Sequence, residues 1–407
     1  MTLDLDFIRS QFPAFEAPDI KGRAFFENAG GSFTCHQVID RLTRFYTERK
    51  VQPYAAYEAS ALAGAEMDEA RARMSALLGV MPQELSFGPS TTQNTYVLAQ
   101  AFAEMMRPGE AIVVTNQDHE ANSGPWRRLS ERGIEIREWQ IDPVTGHLHP
   151  EDLEELLDEQ VRLVCFPHCS NVVGAVNPVI EITALAHAAG AFVCVDGVSY
   201  APHGFVDVGS LGPDIYLFSA YKTYGPHQGL MIIREGLAEL LPNQGHYFNA
   251  DSLHKRFTPA GPDHAQIAAC AGMADYIDSF YEHHVGGDAL PAARAAAVHD
   301  LMRAHETRLL APLMGALSGR NAVRVLGPLD PAARAPTIAL SLERPGADIA
   351  QELTAHGIMT AGGDFYATRA LEAMGIDADK GVLRFSFTHY TSPSDIDTLI
   401  HALDAVL

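Results

Sequence analysis

Two ionisable residues, Asp196 and Lys222, each follow a short apolar run that is typical of a buried β-strand. The first run covers residues 193–195, and the second includes residues 217–218. In open α/β sheets, ligands bind outside the carboxyl ends of the strands. We therefore expect the carboxylate and the amine to face one cleft, where they could hold an electrophilic cofactor between them.

The chemistry of this pair favours pyridoxal phosphate as the cofactor. A lysine amine can form a Schiff base with the aldehyde of that coenzyme, and an acidic residue can pair with its pyridinium nitrogen. In this interpretation Lys222 carries the coenzyme and Asp196 keeps its ring nitrogen protonated. An acid beside a cation stabilises the charge of its partner.

Three consecutive hydroxyl residues lie between a predicted strand that ends at Gly88 and a predicted helix that runs through Met105. Such residues can cap the helix, and the same geometry directs free N–H groups at a phosphate. A plain cap is the more common function of any single hydroxyl, whereas three in a row favour an anion site. The three residues are Ser90, Thr91 and Thr92.

Polar residues also follow other predicted strands. His119 comes just after the strand 111–115, where an imidazole could stack on a flat ring, although a lone loop histidine is usually only solvated. Because the carboxyl ends of successive parallel strands meet at one edge, we expect five polar clusters to converge on one cleft. The clusters are 88–92, 116–122, 167–171, 196–199 and 219–222.

Strands and helices alternate from residue 60 to residue 275, which predicts a mostly parallel sheet with helices on both faces. A chain of 407 residues is too long for one ordinary core. We predict an N-terminal arm over residues 1–24 that packs with the small domain, a large domain over residues 25–285, and a small α+β domain over residues 286–407.

The segment 382–388 of the predicted small domain alternates with period two, which places Arg384 on the polar face with Ser386 and Thr388. An arginine in this position can hold a carboxylate through two parallel hydrogen bonds. The alternative is an ordinary surface arginine.

The formal charge of −22 argues against nucleic acid or an anionic membrane as a partner. No apolar run approaches the roughly 18 residues of a membrane helix. The acidic start of the chain predicts no signal peptide, and five scattered cysteines favour reduced thiols, so we expect a cytoplasmic protein. Cys165 and Cys169 lack a second ligand pair, so we expect no metal site there.

Over nearly its whole length the sequence resembles the class V aminotransferases of fold type I, on the cysteine desulfurase and selenocysteine lyase branch. The resemblance implies a large domain with a mostly parallel seven-stranded sheet and a smaller α+β C-terminal domain. It rests on Asn28-Ala-Gly-Gly31, Ser90-Thr-Thr92, His119-Glu-Ala-Asn122, Ser170-Asn-Val-Val-Gly174, Val195-Asp196-Gly197, Ser219-Ala-Tyr-Lys222 and Arg384-Phe-Ser386.

The resemblance also assigns functions to individual residues. It implies catalytic functions for Lys222, Asp196 and His119, with the imidazole stacked on the coenzyme ring. Substrate binding would fall to Asn28, Asn171 and Arg384, of which the arginine binds the α-carboxylate of an amino acid. The implied cofactor-binding residues are Ser90, Thr91, Thr92, His119, Asn171, Asp196, Ser199, Ser219, Tyr221, Lys222 and Gly261.

The family further implies a homodimer with shared active sites, completed here by partner residues near His246 and Gly261. Ala260-Gly261-Pro262 lacks the hydroxyl that this partner loop often presents, and Tyr221 stands where a histidine is frequent. Desulfurases carry a nucleophilic cysteine on a loop before the arginine strand. The corresponding segment 359–366 has no cysteine, and all five cysteines lie at or before Cys270.

This departure makes the usual persulfide route doubtful. We expect β-elimination from a cysteine-like amino acid, a C–S lyase reaction, because it needs no enzyme thiol. Transamination and epimerisation also need none and are the alternatives. A non-catalytic protein with the same fold is a further possibility, although the presence of both Asp196 and Lys222 argues against it. The sequence contains no G-x-x-x-x-G-K-[ST] loop to support nucleotide binding.

Overall fold

The apolar runs between the predicted helices form one seven-stranded sheet in the structure, a computed structural model that describes residues 2–320 and 322–407. Met1 of the predicted arm and Asn321 of the predicted small domain lie outside the described residues. Seven of the strands in the described residues form this large sheet, and the others belong to two smaller sheets. In chain order the strands are β1 (Ala24–Phe25), β2 (Leu85–Gly88), β3 (Ala111–Thr115), β4 (Glu135–Trp139), β5 (Val161–Pro167), β6 (Phe192–Asp196), β7 (Ile215–Ser219), β8 (Gly229–Ile233), β9 (Arg324–Val325), β10 (Thr337–Ser341), β11 (Ile358–Met359), β12 (Ala361–Gly363) and β13 (Val382–Ser386).

Helices cover both faces of the large sheet and one face of the small one. They are α1 (Leu5–Ser10), α2 (His36–Glu48), α3 (Glu58–Leu77), α4 (Thr91–Met105), α5 (Glu120–Arg127), α6 (Pro150–Glu154), α7 (Val179–Ala188), α8 (Val208–Leu211), α9 (Glu235–Leu240), α10 (Leu253–Arg256), α11 (His264–Ala269), α12 (Ala271–His284), α13 (Pro291–Ser318), α14 (Gly346–Thr354), α15 (Thr368–Ala373) and α16 (Pro393–Val406). None of them, within the described ranges, is both long and apolar enough to span a bilayer.

The large sheet has the strand order β2-β8-β7-β6-β5-β3-β4, in which β8 runs in the opposite direction to the other six strands. Its central strands are buried on both faces, which explains their continuous apolar runs. Val193 and Val195 pack into one core cluster, whereas Cys194 between them packs into the cluster on the opposite face. The prediction of a mostly parallel seven-stranded sheet is therefore confirmed.

A second, antiparallel sheet has the order β12-β13-β10-β9. Leu383, Phe385 and Phe387 of the β13 segment pack into its hydrophobic core with side chains of α13, α14 and α16. Arg384 is on the other face, as the period-two alternation predicted. The short parallel pair of β1 and β11 connects the N-terminal segment to this part of the chain.

The N-terminal arm contacts elements on both sides of the predicted boundary at residue 285. The Arg9 guanidinium donates a hydrogen bond to the Tyr390 carbonyl at 2.9 Å and pairs with Asp395, whereas the Asp4 carboxylate pairs with His283 at 3.0 Å. The division into an arm and two domains stays a prediction.

Several predicted element bounds are wrong. The helix expected from residue 264 to residue 281 is two helices that meet at Cys270. The glycine-rich loop expected near residue 360 contains β11 and β12. Glycine allows β12 to pass close to α14, because a Cβ at Gly362 would clash with the Gly346 backbone of that helix.

Candidate active site

Four of the five predicted clusters of polar strand ends contribute residues to the lining of a cavity of about 570 Å³ at the carboxyl edge of the large sheet, whereas the cluster 196–199 contributes none. The floor of the cavity is formed by the segment that follows β7, and its walls come from α4, α5 and the second sheet. Six of the residues predicted from the sequence line it together: Thr92, His119, Asn171, Tyr221, Lys222 and Arg384.

Lys222 and Asp196 leave the ends of β7 and β6, which pair in parallel with Asp196 opposite Leu217. Burial and the positive charge of Arg384 lower the pKa of Lys222 to about 8, although the Asp196 carboxylate acts in the opposite direction. The amine is therefore partly neutral near neutral pH, and only the neutral form is a nucleophile.

Asp196 is buried, and its Oδ1 accepts a hydrogen bond from the Val198 N–H at 2.8 Å. Burial raises the pKa of Asp196 to about 6, while the Val198 N–H and the charge of Lys222 favour the ionised form. The carboxyl group is thus ionised at neutral pH but is basic enough to share a proton with a ligand.

His119 caps the N-terminus of α5, and its Nδ1 accepts a hydrogen bond from the Ala121 N–H at 3.0 Å. This contact leaves the proton of a neutral ring on Nε2. Burial, together with the positive charges of Lys222 and Arg384, lowers the pKa of His119 to about 3. The ring is therefore a neutral, partly buried wall of the cavity, and the alternative of a freely solvated loop histidine is wrong.

The hydroxyl cluster at α4 contains both features predicted from the sequence, a helix cap and hydroxyl groups that could bind an anion. Ser90 Oγ accepts a hydrogen bond from the Gln93 N–H at 3.2 Å and so caps the helix. Thr91 Oγ1 lies 2.8 Å from Ser219 Oγ in a buried pair, and Thr92 lines the cavity. A helix N-terminus with hydroxyls from two strand ends can receive an anion.

Arg384 is a buried residue of the cavity lining, so the alternative of a surface arginine is wrong. Its Nη1 donates a hydrogen bond to the Asn171 carbonyl at 3.2 Å, and its Cζ lies 3.7 Å from the centre of the Phe365 ring. Asn171 Nδ2 donates to the Phe365 carbonyl at 2.9 Å. Asn171 Oδ1 is buried without a partner among the described residues, which leaves one acceptor for a ligand.

Of the other predicted residues, Thr91, Asp196 and Ser219 are buried and do not line this cavity, and the remaining five lie elsewhere. Asn28 is buried, with its Nδ2 3.5 Å from the Lys222 carbonyl and its Oδ1 bonded to the Tyr390 hydroxyl. Ser199 is half-buried in the turn after β6. Gly261 and Ser90 line a neighbouring cavity of about 850 Å³, and His246 is exposed.

Glu27, Phe365 and Tyr366 line the cavity but were not predicted from the sequence. Glu27 stands directly before the Asn28 motif, a position that could have drawn attention to it. The two aromatic residues have φ values of +53° and +56°, a left-handed conformation that is uncommon outside glycine and has no signature in these residue types. The Tyr366 carbonyl accepts a hydrogen bond from the Glu120 N–H at 2.8 Å, which holds this segment against α5.

All five cysteines are buried away from solvent. Burial raises the pKa of both Cys35 and Cys169 to about 12, so these thiols are unreactive near neutral pH. The segment 359–366 supplies the aromatic residues Phe365 and Tyr366 to the site and contains no cysteine. Among the described residues, no group of three or more His, Cys, Asp or Glu side chains is arranged to bind a metal ion.

A model of the family described as "Aminotransferase class-V" matches residues 24–399. The chain belongs to the class V aminotransferase family. Within this family it is 32% identical over 419 residues to the aminotransferase-like protein FGM3 of Gibberella zeae, covering 100% of this chain and 99% of that protein. It is also 30% identical over 419 residues to a cysteine desulfurase of Dickeya dadantii, with 99% and 96% covered.

Solved structures of this class V family share the fold. A cysteine desulfurase from Escherichia coli superposes with a TM-score of 0.84 at 22% identity, covering 100% of this chain and 99% of that one. A cysteine desulfurase from Thermococcus onnurineus gives 0.85 at 22% identity, covering 100% and 98%. These findings confirm the predicted fold type I architecture and the cysteine desulfurase-like branch. Members of the family typically bind pyridoxal phosphate.

Proposed function

We propose that this protein is a pyridoxal phosphate-dependent enzyme that acts at the α-carbon of an amino acid and cleaves a C–S bond by β-elimination. One observation carries the proposal. Asp196 ends β6, Lys222 follows the adjacent parallel strand β7, and Lys222 lines the same cavity as the buried side chain of Arg384. The missing loop thiol favours elimination over persulfide formation.

The residues of the cavity fit the coenzyme. Lys222 and Asp196 would hold its aldehyde and its ring nitrogen, and the neutral His119 ring would cover one face. The buried Thr91–Ser219 pair and the N-terminus of α4 would hold the phosphate. The unpartnered Asn171 Oδ1 offers an acceptor for a hydroxyl of the coenzyme or a donor of the substrate. When bound, the coenzyme supplies an electron sink for a carbanion at the α-carbon.

The side chains of this chain would divide the remaining work. Arg384 binds the substrate carboxylate and so orients the α-proton toward the lysine. The Lys222 amine accepts that proton, which suits a base whose pKa is near 8. The C–S bond then breaks with its electron pair leaving on sulfur. Hydrolysis of the remaining three-carbon unit gives pyruvate and ammonia.

The reaction is tested by supplying cysteine, cystine and related amino acids to the coenzyme-loaded protein. With cysteine we expect pyruvate and sulfide in equal amounts without any added amino acceptor, measured by a coupled pyruvate assay and by sulfide detection. With cystine the leaving group is the persulfide thiocysteine, which is measured as sulfane sulfur. Serine, which offers a poorer leaving group, is the matched control. Keto acid that appears only with an added acceptor would instead support transamination, and loss of optical activity without product would support epimerisation. A protein that never takes up the coenzyme would support the non-catalytic alternative.

We also propose a homodimer in which each chain completes the neighbouring site near Gly261. The exposed aromatic side chains of Tyr247 and Phe248, 87% and 69% accessible, stand between His246 and Asn249, which line a small pocket together with Gly261. Large exposed aromatic residues are typical of interfaces. Light scattering should give twice the 44.1 kDa mass of the chain. Replacing both aromatic residues with serine should shift the protein toward monomer, and a wild-type protein of monomer mass would contradict the proposal.

A further inference from the structure

Glu27 shares the active-site cavity with Arg384 and is bonded to it. Glu27 Oε1 accepts a hydrogen bond from Arg384 Nη2 at 2.8 Å. Glu27 Oε2 and Arg384 Nε are both buried without a partner in the described part of the chain. The Arg384 guanidinium therefore binds the Glu27 carboxylate through one hydrogen bond. Its Nε–H, the second donor of a bidentate interaction, is not used.

The two side chains differ in how firmly they are held. The Arg384 side chain is 3% exposed and is fixed by the Asn171 carbonyl and the Phe365 ring. The Glu27 side chain is 25% exposed and opens to the cavity, although its backbone is fixed by a bridge to Ser386. If one partner moves, it is the glutamate side chain.

Gly30 provides the space that the Glu27 carboxylate occupies. A Cβ at residue 30 would lie 2.6 Å from Glu27 Oε1, closer than any non-bonded contact permits. The backbone of Gly30 does not require a left-handed conformation, so an alanine there would press only on the flexible end of Glu27. This gives a way to displace the carboxylate without removing its charge.

We propose that Glu27 is a built-in competitor that occupies Arg384 in the free site, and that a substrate carboxylate binds by displacing it. The inference rests on the proposed function, in which Arg384 receives the carboxylate of an amino acid. Glu27 then sets substrate affinity, because every carboxylate that enters must first break an existing ion pair. Removing the competitor should tighten carboxylate binding, whereas removing a residue that binds substrate would weaken it.

The test uses propionate, a carboxylate without an amine that cannot react with the coenzyme. Its dissociation constant is measured by calorimetry on the coenzyme-loaded protein. We expect Glu27→Gln to lower this constant about tenfold, since the ion pair with Arg384 is replaced by a weaker hydrogen bond from the guanidinium to a neutral amide. Gly30→Ala should also lower the dissociation constant of propionate, although the charge of Glu27 is retained. Glu352→Gln, which breaks the exposed pair of Glu352 with Arg344, should leave it unchanged.

A constant that stays within twofold of wild type in Glu27→Gln, or rises, would overturn the inference. Thermal melting shows whether each variant is folded, and the two substitutions lie at partly exposed positions, so either can carry the test alone. Loading is read independently from the visible absorption of the coenzyme. If the chain takes up no coenzyme, the same titrations are made on the unloaded protein, and tighter propionate binding by Glu27→Gln there would support the inference about Glu27 and contradict the proposed function. Unchanged propionate binding in variants of a protein that is active as a lyase would contradict the inference about Glu27 and support the proposed function.

Discussion

Replacing Lys222 with alanine is expected to abolish the visible absorption band of the coenzyme-loaded protein and to lower turnover at least about 10³-fold. The effect is large because the proposal gives this amine two tasks, the covalent hold on the coenzyme and the acceptance of the α-proton. Spectra and turnover are measured on variant and wild type after the same exposure to coenzyme. A variant that keeps both band and turnover would refute the assignment of Lys222.

Lys222→Arg is the matched control, because the guanidinium keeps the positive charge but cannot lose a proton to become a nucleophile. It should lose the band as the alanine variant does, which separates the amine from its charge. In wild-type protein the rate of coenzyme uptake should rise with pH and level off above about 8, since uptake needs the neutral amine and burial lowers the pKa of Lys222 to about 8. A rate that does not change across this range would mean that another step limits uptake.

The parts of this site that could be predicted from sequence are those that local pattern encodes. Apolar runs of strand length indicate where each strand of the sheet ends, so the sequence alone predicts Asp196 and Lys222 at one edge of the sheet. Period-two alternation placed Arg384 on the polar face of β13 in the same way. Each of these inferences uses residues that are near neighbours in the chain.

The ion pair between Glu27 and Arg384 could not be found in this way, because the two residues are 357 positions apart. Nothing in the local sequence of either residue specifies the other. The left-handed backbone at Phe365 and Tyr366 was equally inaccessible, since tertiary contacts rather than residue type hold it. The break at Cys270 between α11 and α12 is a third case, because no proline or glycine occupies that position.

Replacing Asp196 with asparagine is expected to lower turnover by about 10²–10³-fold while the protein still takes up the coenzyme. The amide has the size of the carboxylate but lacks the charge that would keep a proton on the ring nitrogen. Electron withdrawal from the α-carbon is weaker without that proton. Uptake persists because Lys222 and the phosphate end are unchanged. Turnover at saturating substrate and the visible absorption spectrum measure the two effects separately.

The same substitution should shift the pH dependence of coenzyme uptake downward. Asp196 raises the pKa of Lys222, so loss of its charge lets burial and Arg384 lower that pKa further below 8. Asp118→Asn is the matched control beyond the end of β3, because Asp118 is also a buried carboxyl group, but its side chain is bonded to Thr115 and Asn122 and the proposal gives it no contact with the coenzyme. That variant should retain turnover within about tenfold, as expected for the loss of hydrogen bonds away from the reacting atoms. Equal losses in the two variants would show that Asp196 acts through packing rather than charge, since both substitutions alter a buried carboxyl group of the same size.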